Sequence, residues 1–529
     1  MKKNHKLIFL VILLLAIILR FYKLGSIPAS LNWDEVSHGF NAYSLSQTGK
    51  DQWGVSHPVF NFRAYGDYPT TANIYLTIPF IKLFGLNSLA IRLPHAIIGT
   101  LTVVIAYFLA QSLFSNINLS LLTMFLFSVT PWLIFPSRAV FQSNLSLFFL
   151  ILGLWLFLTS FKKHYLLILS LLSFVLSLYA YHNTRIIIPI LIPFLFLIYR
   201  KNILKFNRIL LAFSLVTFLL LAVPNILNLF SSESQARNRW VGIINPNSIN
   251  LINENRRLFT GPQFLNRLVN NKVIYFSQQF ATNYLDLLNP LPIFFRGSEN
   301  YQFNPPSTGL IFSVFLPFFY FGLIIAFKKY RYLLTLFLIC LLPAALTIGD
   351  FPSIRATSAV PFYIIFITLG INYLRSKLFL TLVILISLFQ LIFYSRNYLR
   401  YNISLSQAWQ YGYQTAINDI KPLYSGYQQI IFTKKYGEPH EFVLFYWPWS
   451  PSKYLSDPNK KWDFHADWYW VDAFDKFRFV NDWDIATLTI PKNTLLITSP
   501  GNYPKPNAKI IHSVNFLDNT PAFEIISYD

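Results

Sequence analysis

Two acids stand side by side in the stretch Leu31-Asn32-Trp33-Asp34-Glu35-Val36-Ser37-His38-Gly39-Phe40. Asn32 or Asp34 is suited to cap a short helix, because either side chain can accept a hydrogen bond from the free amides of a first turn. Val36, Phe40 and Tyr43 recur at i, i+4 and i+7, the spacing of a helix lying at a membrane interface. The acidic pair then has two readings. It is a cap favoured by the helix dipole, or one carboxylate, close to a low dielectric, has a raised pKa and serves as a general base. His38 follows Asp34 by four residues, on the same helix face, so Asp34 and His38 are compatible with a divalent metal ion. One Asp/His pair does not by itself define a metal site.

Arginines supply a second kind of chemistry. They occur in short turns between apolar runs: Arg138 in Pro136-Ser137-Arg138, Arg185 in Tyr181-His182-Asn183-Thr184-Arg185, and Arg355 in Asp350-Phe351-Pro352-Ser353-Ile354-Arg355. Arg237 opens a longer loop in Ser234-Gln235-Ala236-Arg237. Singly, each reads as an interfacial anchor whose long stem snorkels to the headgroups. Together with Asp34 and Glu35 they suit an anionic substrate, since the planar guanidinium donates two parallel hydrogen bonds to a phosphate. A carboxylate for the nucleophile and basic groups for a phosphate is the layout that glycosyl transfer from a lipid phosphate requires.

These residues are carried by a chain built for lipid. Of 529 residues, 54% are hydrophobic and only 12% charged, with mean hydropathy +0.44; soluble domains carry about 25% charged residues. Apolar runs predict eleven transmembrane helices, at about 7–22, 88–113, 119–135, 139–160, 165–181, 185–199, 209–227, 307–327, 332–348, 356–374 and 378–394. The first ends in Arg20-Phe21-Tyr22 without a small-residue cleavage site, and reads as an uncleaved anchor. Lys2, Lys3, Lys6, Lys162, Lys163, Arg200, Lys201, Lys205, Arg208, Lys328, Lys329, Arg331, Arg375 and Lys377 fall in alternate loops, which sets the N-terminus in the cytoplasm. All 22 acids lie in segments that this topology places outside, thirteen of them after residue 395. The net charge of +21 therefore reflects orientation in a membrane, and nucleic-acid binding is excluded as the main function. The single cysteine, Cys340, excludes a disulfide framework.

Residues 1–395 are expected to form a transmembrane domain with outer loops 23–87 and 228–306, and residues 396–529 a small extracytoplasmic α/β domain. In the tail, helix signals at 404–420 precede strand-like runs at 429–433, 442–446, 494–498 and 508–514. Its tryptophans, seven of the twelve, suit a core, a bilayer interface or a surface that stacks on sugars.

The ordered set of motifs resembles the bacterial GT-C glycosyltransferases of the protein-O-mannosyltransferase and aminoarabinose-transferase type, glycosyltransferase family 39 and relatives. The stretches that carry it are 19–45 (LRFYKLGSIPASLNWDEVSHGFNAYSL), 75–103, 135–149 (FPSRAVFQSNLSLFF), 179–192 (YAYHNTRIIIPILI), 283–300 (NYLDLLNPLPIFFRGSEN), 306–323 and 341–371. The resemblance implies the GT-C fold, with extracytoplasmic interfacial helices, and an inverting transferase of the plasma or inner membrane. Such an enzyme takes a sugar from a polyprenyl phosphate on the outer face and passes it to a protein, lipid or glycan. It also implies that Asp34 is the catalytic carboxylate and that Glu35 helps position the acceptor. Arg138, His182, Arg185, Arg237 and Arg355 would hold the lipid phosphate, and Arg92, in Arg92-Leu93-Pro94, would be structural. One departure stands out: many relatives follow the Gly-Asp-Tyr of the first loop with Lys-Pro, whereas here Gly66-Asp67-Tyr68-Pro69-Thr70 has no lysine, so that either Arg63 or another basic residue substitutes or the donor is held differently. No nucleotide-binding glycine loop is present, as a lipid-linked donor requires none. No cofactor is implied beyond a divalent metal ion. The alternative is a polytopic transporter or lipid flippase of envelope glycan assembly, which would place ionisable groups near the bilayer midplane and show two matching halves.

Overall fold

The computed structural model describes residues 3–373 and 376–529, with the side chains of 236–238 excepted. Each of the eleven apolar segments contains helix. Among the described residues, five helices are long and apolar enough to cross a membrane: Lys3–Phe21, Ser88–Phe114, Gln142–Ser160, Arg208–Phe230 and Lys377–Ser404. A sixth crossing is available if Ile117–Val129 and Pro131–Ser137, bent by 69° at their junction, count as one. The others are shorter than the expected eleven full spans. Leu166–Ala180, Thr184–Ile198 and Arg331–Ala345 have 15 residues each, about 22 Å of helix at a rise of about 1.5 Å per residue, against a hydrocarbon core of about 30 Å. The expected span at 307–327 begins as helix only at Leu316.

By compactness the chain divides into two units, one of residues 1–20, 97–137 and 141–395, the other of residues 21–96, 138–140 and 396–529. The first is the helical one. Its bend at Thr130 has a chemical cause. Pro131 has no N–H for the carbonyl of Phe127, and the N–H of Trp132 goes to Leu310 O at 2.9 Å instead of to Ser128. Arg20, fully buried, takes both freed carbonyls, Nη2 to Phe127 O and Nη1 to Ser128 O, each at 3.2 Å. Gly99 leaves the room: a Cβ there would lie 2.3 Å from the Ser137 Cβ.

In the second unit a seven-stranded sheet comprises β1 (Gln429–Thr433), β2 (Lys461–His465), β3 (Trp468–Phe474), β4 (Phe477–Val480), β5 (Thr494–Thr498), β6 (Lys509–Asn515) and β7 (Pro521–Tyr528). Their order is β2-β3-β4-β1-β5-β7-β6, with β1 parallel to β4 and β5 and the remaining pairs antiparallel. β1 and β5 are buried on both faces, so they read as continuous apolar runs. Ile430, Phe432, Leu495 and Ile497 join one core with Phe40, Tyr413 and Phe442, while Ile431 and Leu496 join another with Ile485 and Ile526. The run 442–446 is not a strand but part of the helix Pro439–Tyr446, entered through Pro439 at its first position and buried along its whole length. A short apolar run buried on every side has no periodicity to separate the two states. The helix expected at 404–420 is Tyr413–Ile420, preceded by a 3₁₀ turn at Ser406–Trp409.

Replacing Arg20 by Met should strand two buried carbonyls at about 1–3 kcal/mol each. A clear fall in Tm on thermal unfolding in detergent is expected, and an unchanged Tm would remove Arg20 from the account of the bend.

Candidate active site

The acidic pair opens the helix Trp33–Thr48. Asn32 is the N-cap, accepting from Glu35 N at 2.9 Å, and the Glu35 carboxylate returns to Asn32 N at 3.3 Å. Glu35 is buried and locked. Its Oε1 accepts from Arg92 Nε at 2.9 Å and from Val140 N at 3.2 Å, and its Oε2 from Arg92 Nη2 at 2.8 Å. Arg92, wholly buried, spends its remaining N–H groups on the carbonyls of Leu24, Pro28 and Ser30, at 3.4, 2.9 and 2.5 Å. Asp34, one residue away on the helix, is exposed. The two carboxylates thus have different surroundings: one is a buried structural anion, the other faces outward at a positive helix end.

The residue before Asp34 is held on both sides. Trp33 N donates to Gln410 Oε1 at 2.8 Å, and Tyr65 Oη donates to Trp33 O at 2.8 Å. Tyr65 stacks on Trp468, 5.5 Å between ring centroids, and the Trp468 indole donates to Glu438 Oε1 at 2.6 Å. Burial, with the Glu441, Asp34 and Glu438 carboxylates around it, pushes the Tyr65 phenol well above its usual range, so it remains a donor. Of these partners, Gln410, Glu438, Glu441 and Trp468 come from beyond residue 400, and sequence reasoning did not anticipate them. The signal available was Gly437-Glu438-Pro439-His440-Glu441, charged groups directly ahead of an apolar run.

The helix Trp33–Thr48 is buried on all faces from Glu35 to Leu45, Ala42 included and Tyr43 partly, against the helices Ala72–Phe84 and Pro439–Tyr446. His38 is buried, and neither ring nitrogen has a hydrogen-bond partner. Burial, only partly offset by Asp67, brings its pKa down to about 4, which keeps it neutral. A neutral imidazole and the Asp34 carboxylate offer a cation two donors; no group of three or more His, Cys, Asp or Glu that could hold a metal occurs among the described residues. Arg63, a candidate substitute for the missing lysine, lies over the rings of Tyr469, Trp53 and Trp462 at 4.7, 5.4 and 5.9 Å.

The expected phosphate ligands divide. Arg138 belongs to the same unit as Asp34, buried, with Nη2 on the carbonyls of Tyr22 and Ile27 at 2.6 and 3.1 Å and the guanidinium over Tyr398. Its Nη2 thus serves backbone, and its Nε donates to the Tyr398 hydroxyl at 3.4 Å. His182, Arg185 and Arg355 belong to the helical unit, where their turns are tied together: the Asn183 amide donates to Arg355 O, and Trp132 Nε1 donates to Ser353 O at 2.8 Å. Arg185 is buried and reaches Asn228 Oδ1 at 3.5 Å. The helix Ser232–Val241, which carries Arg237, joins the same end through Ile348 N to Val241 O at 2.9 Å; the Arg237 side chain lies outside the described residues. In that unit a cavity of about 570 Å³ is lined by Asn283, Asp286, Asn289, Arg296, Glu299 and Asp350 among others. Three carboxylates against one guanidinium disfavour an anion there, while the amides and acids suit a ligand rich in hydroxyl groups.

Residues 71–227 match the model of the family described as dolichyl-phosphate-mannose-protein mannosyltransferase. The match covers less than a third of the chain, among whose described residues are helices long and apolar enough to cross a membrane. A protein of Aquifex aeolicus (strain VF5), described as uncharacterized, is 28% identical over 216 residues, 40% of this chain and 42% of that one, so the chain matches less than half of the relative's length. Among solved structures, the oligosaccharyltransferase AglB from Archaeoglobus fulgidus, in complex with an inhibitory peptide and a dolichol-phosphate, gives a TM-score of 0.47 at 14% identity over 84% of this chain and 63% of that one. ArnT from Cupriavidus metallidurans, bound to undecaprenyl phosphate, gives 0.43 at 12% identity over 98% and 97%.

Two outcomes follow from the Asp34 unit. Arg92→Met leaves Glu35 as a buried unpaired charge and should cost about 3–5 kcal/mol, read as a large loss of Tm; a Tm within 1–2 °C of wild type, about the size of a sub-kcal/mol effect, contradicts the pairing. An unfolded chain binds the His38 proton near pH 6.5 and the folded protein only near pH 4, so folded stability falls as pH drops between those values. Tm measured from pH 7 to pH 4 should decline, and His38→Gln should flatten that decline; an unaltered slope contradicts the buried neutral imidazole.

Proposed function

We propose that this protein transfers a sugar from a polyprenyl-phosphate donor to an acceptor hydroxyl or amine at the outer face of the plasma or inner membrane, with inversion at the anomeric carbon and Asp34 as the base. The observation that carries the reading is the division of labour in the acidic pair: Glu35 is buried and fully engaged, leaving Asp34 exposed on a first turn fixed from both sides. The family match to residues 71–227 supports the class. The lysine- and arginine-rich alternate loops support the orientation, N-terminus inside and residues 396–529 outside.

In the proposed reaction the acceptor O–H or N–H attacks the anomeric carbon from the face opposite the phosphate. Asp34 takes the proton, the new bond to carbon forms, and the bond from the anomeric carbon to the phosphate oxygen breaks. The electron pair leaves on the polyprenyl phosphate, whose charge His182, Arg185, Arg237 and Arg355 would stabilise. Arg138, whose Nη2 holds backbone carbonyls, shapes the loop and does not need to touch the donor. Glu35 fixes the Asp34 turn and is thereby a positioning residue. A divalent ion, if one takes part, would draw on Asp34 and His38 and would offset phosphate charge. The transporter or flippase reading lacks its usual mark, since no Asp or Glu falls within the five long apolar helices.

Asp34→Asn should lower turnover by about a thousandfold while Tm and donor binding hold; turnover near wild type in a folded variant refutes the base. Arg185→Gln or Arg355→Gln should raise the donor KM about tenfold or more, as loss of a charge-assisted hydrogen bond does. A donor KM unchanged in both removes these arginines from the phosphate site.

A further inference from the structure

Three ionisable groups are buried together far from the acidic pair in sequence. Glu438, His440 and Glu441 are 2%, 1% and 0% exposed. His440 lies between the two acids, Nδ1 at 3.4 Å from Glu438 Oε2 and Nε2 at 3.4 Å from Glu441 Oε1. Burying such a set is costly, and apolar residues of the same volume commonly serve stability as well or better. Burial alone would push the imidazole down, but the two acids bring it up to about 9, so a protonated imidazole stands between them near neutral pH. Glu438 Oε2 and Glu441 Oε2 have no hydrogen-bond partner; the other oxygen of each acid is used, and both uses lead to the helix Trp33–Thr48.

From Glu438 Oε1 the path runs to the Trp468 indole at 2.6 Å, to Tyr65 stacked on that indole, and from the Tyr65 hydroxyl to Trp33 O at 2.8 Å. From Glu441 Oε1 it runs to the Gln52 amide at 2.6 Å, and from Gln52 N to Asn41 Oδ1 at 3.0 Å, two turns further along the same helix. The backbone just ahead of the trio closes the clamp. The Gln410 amide, which accepts from Trp33 N, donates to Tyr436 O. A Cβ at Gly437 would lie 2.2 Å from the Trp33 ring, so this segment is pressed directly on the residue before Asp34.

We infer that Glu438 and Glu441, held apart and neutralised by His440, are positioning residues that fix the Asp34 turn through Trp468, Tyr65 and Gln52. This rests on the reading of Asp34 as the base. Neither acid touches substrate; each acts through the geometry of Trp33 and Asn41. The segment beyond residue 396 is then a working part of the transferase and not only an acceptor-binding appendage. Tyr65, Tyr413 and Tyr454 lie near the carboxylates of the trio, and none of these three is a cation.

The test pairs catalysis with a readout that does not depend on it. In full-length protein, Glu438→Ala should lower kcat about ten- to a hundredfold, the size of effect that a small misplacement of a reacting group produces, with the donor KM unchanged. Amide exchange measured by mass spectrometry should quicken in a peptide spanning 33–36. Glu438→Gln keeps an oxygen that accepts from Trp468 and should restore both. Should Glu438→Ala not fold, Trp468→Phe removes the same hydrogen bond while leaving a ring to stack on Tyr65, and should give the same pair of changes. Exchange at 33–36 equal to wild type in the folded variants overturns the inference. Quickened exchange with normal kcat overturns it too when Asp34→Asn is inactive; when Asp34→Asn is also active, the failure lies in the assignment of the base.

Discussion

Arg92 sits in the protein interior with five N–H groups, and every one has an acceptor: two carboxylate oxygens of Glu35 and the carbonyls of Leu24, Pro28 and Ser30. The loop that precedes the acidic pair has little regular structure of its own, so its carbonyls need a partner. A guanidinium is the side chain that reaches three of them and a carboxylate at once. Once Glu35 is consumed in that role, the helix that begins at Trp33 has a fixed start, and Asp34 is the acid left facing outward. Asp34 owes its position to contacts it does not itself make.

The helical unit solves a related problem in the same way. A proline and a diverted amide break the helix at Thr130, and Arg20 takes the two carbonyls that the break leaves without donors. Apolar helices with proline- and glycine-containing turns free backbone groups where water is scarce, and buried arginines and tryptophan N–H groups satisfy them. The turns around 183 and 355 and the strand-like contact at 242 and 347 are joined by such bonds, which brings the segments carrying Arg185, Arg237 and Arg355 to one end of the unit.

Much of this was legible in the residues. The apolar segments were, because lipid demands long runs of one character; their lengths were less so, because Pro131 breaks one helix and Pro317 sits in the first turn of another that starts late, within runs that hydropathy sees as continuous. β1 and β5 were legible as buried apolar runs. β2 and β3 were not: Trp462, Asp463, Phe464 and His465 do alternate, but they lie on the edge strand β2, exposed along its whole length, with no buried face for the pattern to mark. Within the site, Asp34 and Glu35 stood out by adjacency. What could not be read was which of them is buried and which exposed, because that depends on Arg92, 57 residues further on from Glu35. The clamp at Glu438 lies beyond local pattern for the same reason. Its Trp468 and Tyr65 links are tertiary contacts between aromatic residues that, in sequence alone, look like core or interface.

The most direct measurement is release of free polyprenyl phosphate from a panel of polyprenyl-phosphate sugars, by the purified protein with a crude acceptor fraction present. The account predicts release from at least one donor, dependent on the acceptor fraction, with the transferred sugar in the anomeric configuration opposite to that of the donor. A folded protein that releases polyprenyl phosphate from none of them, or that transfers with retention, would contradict it.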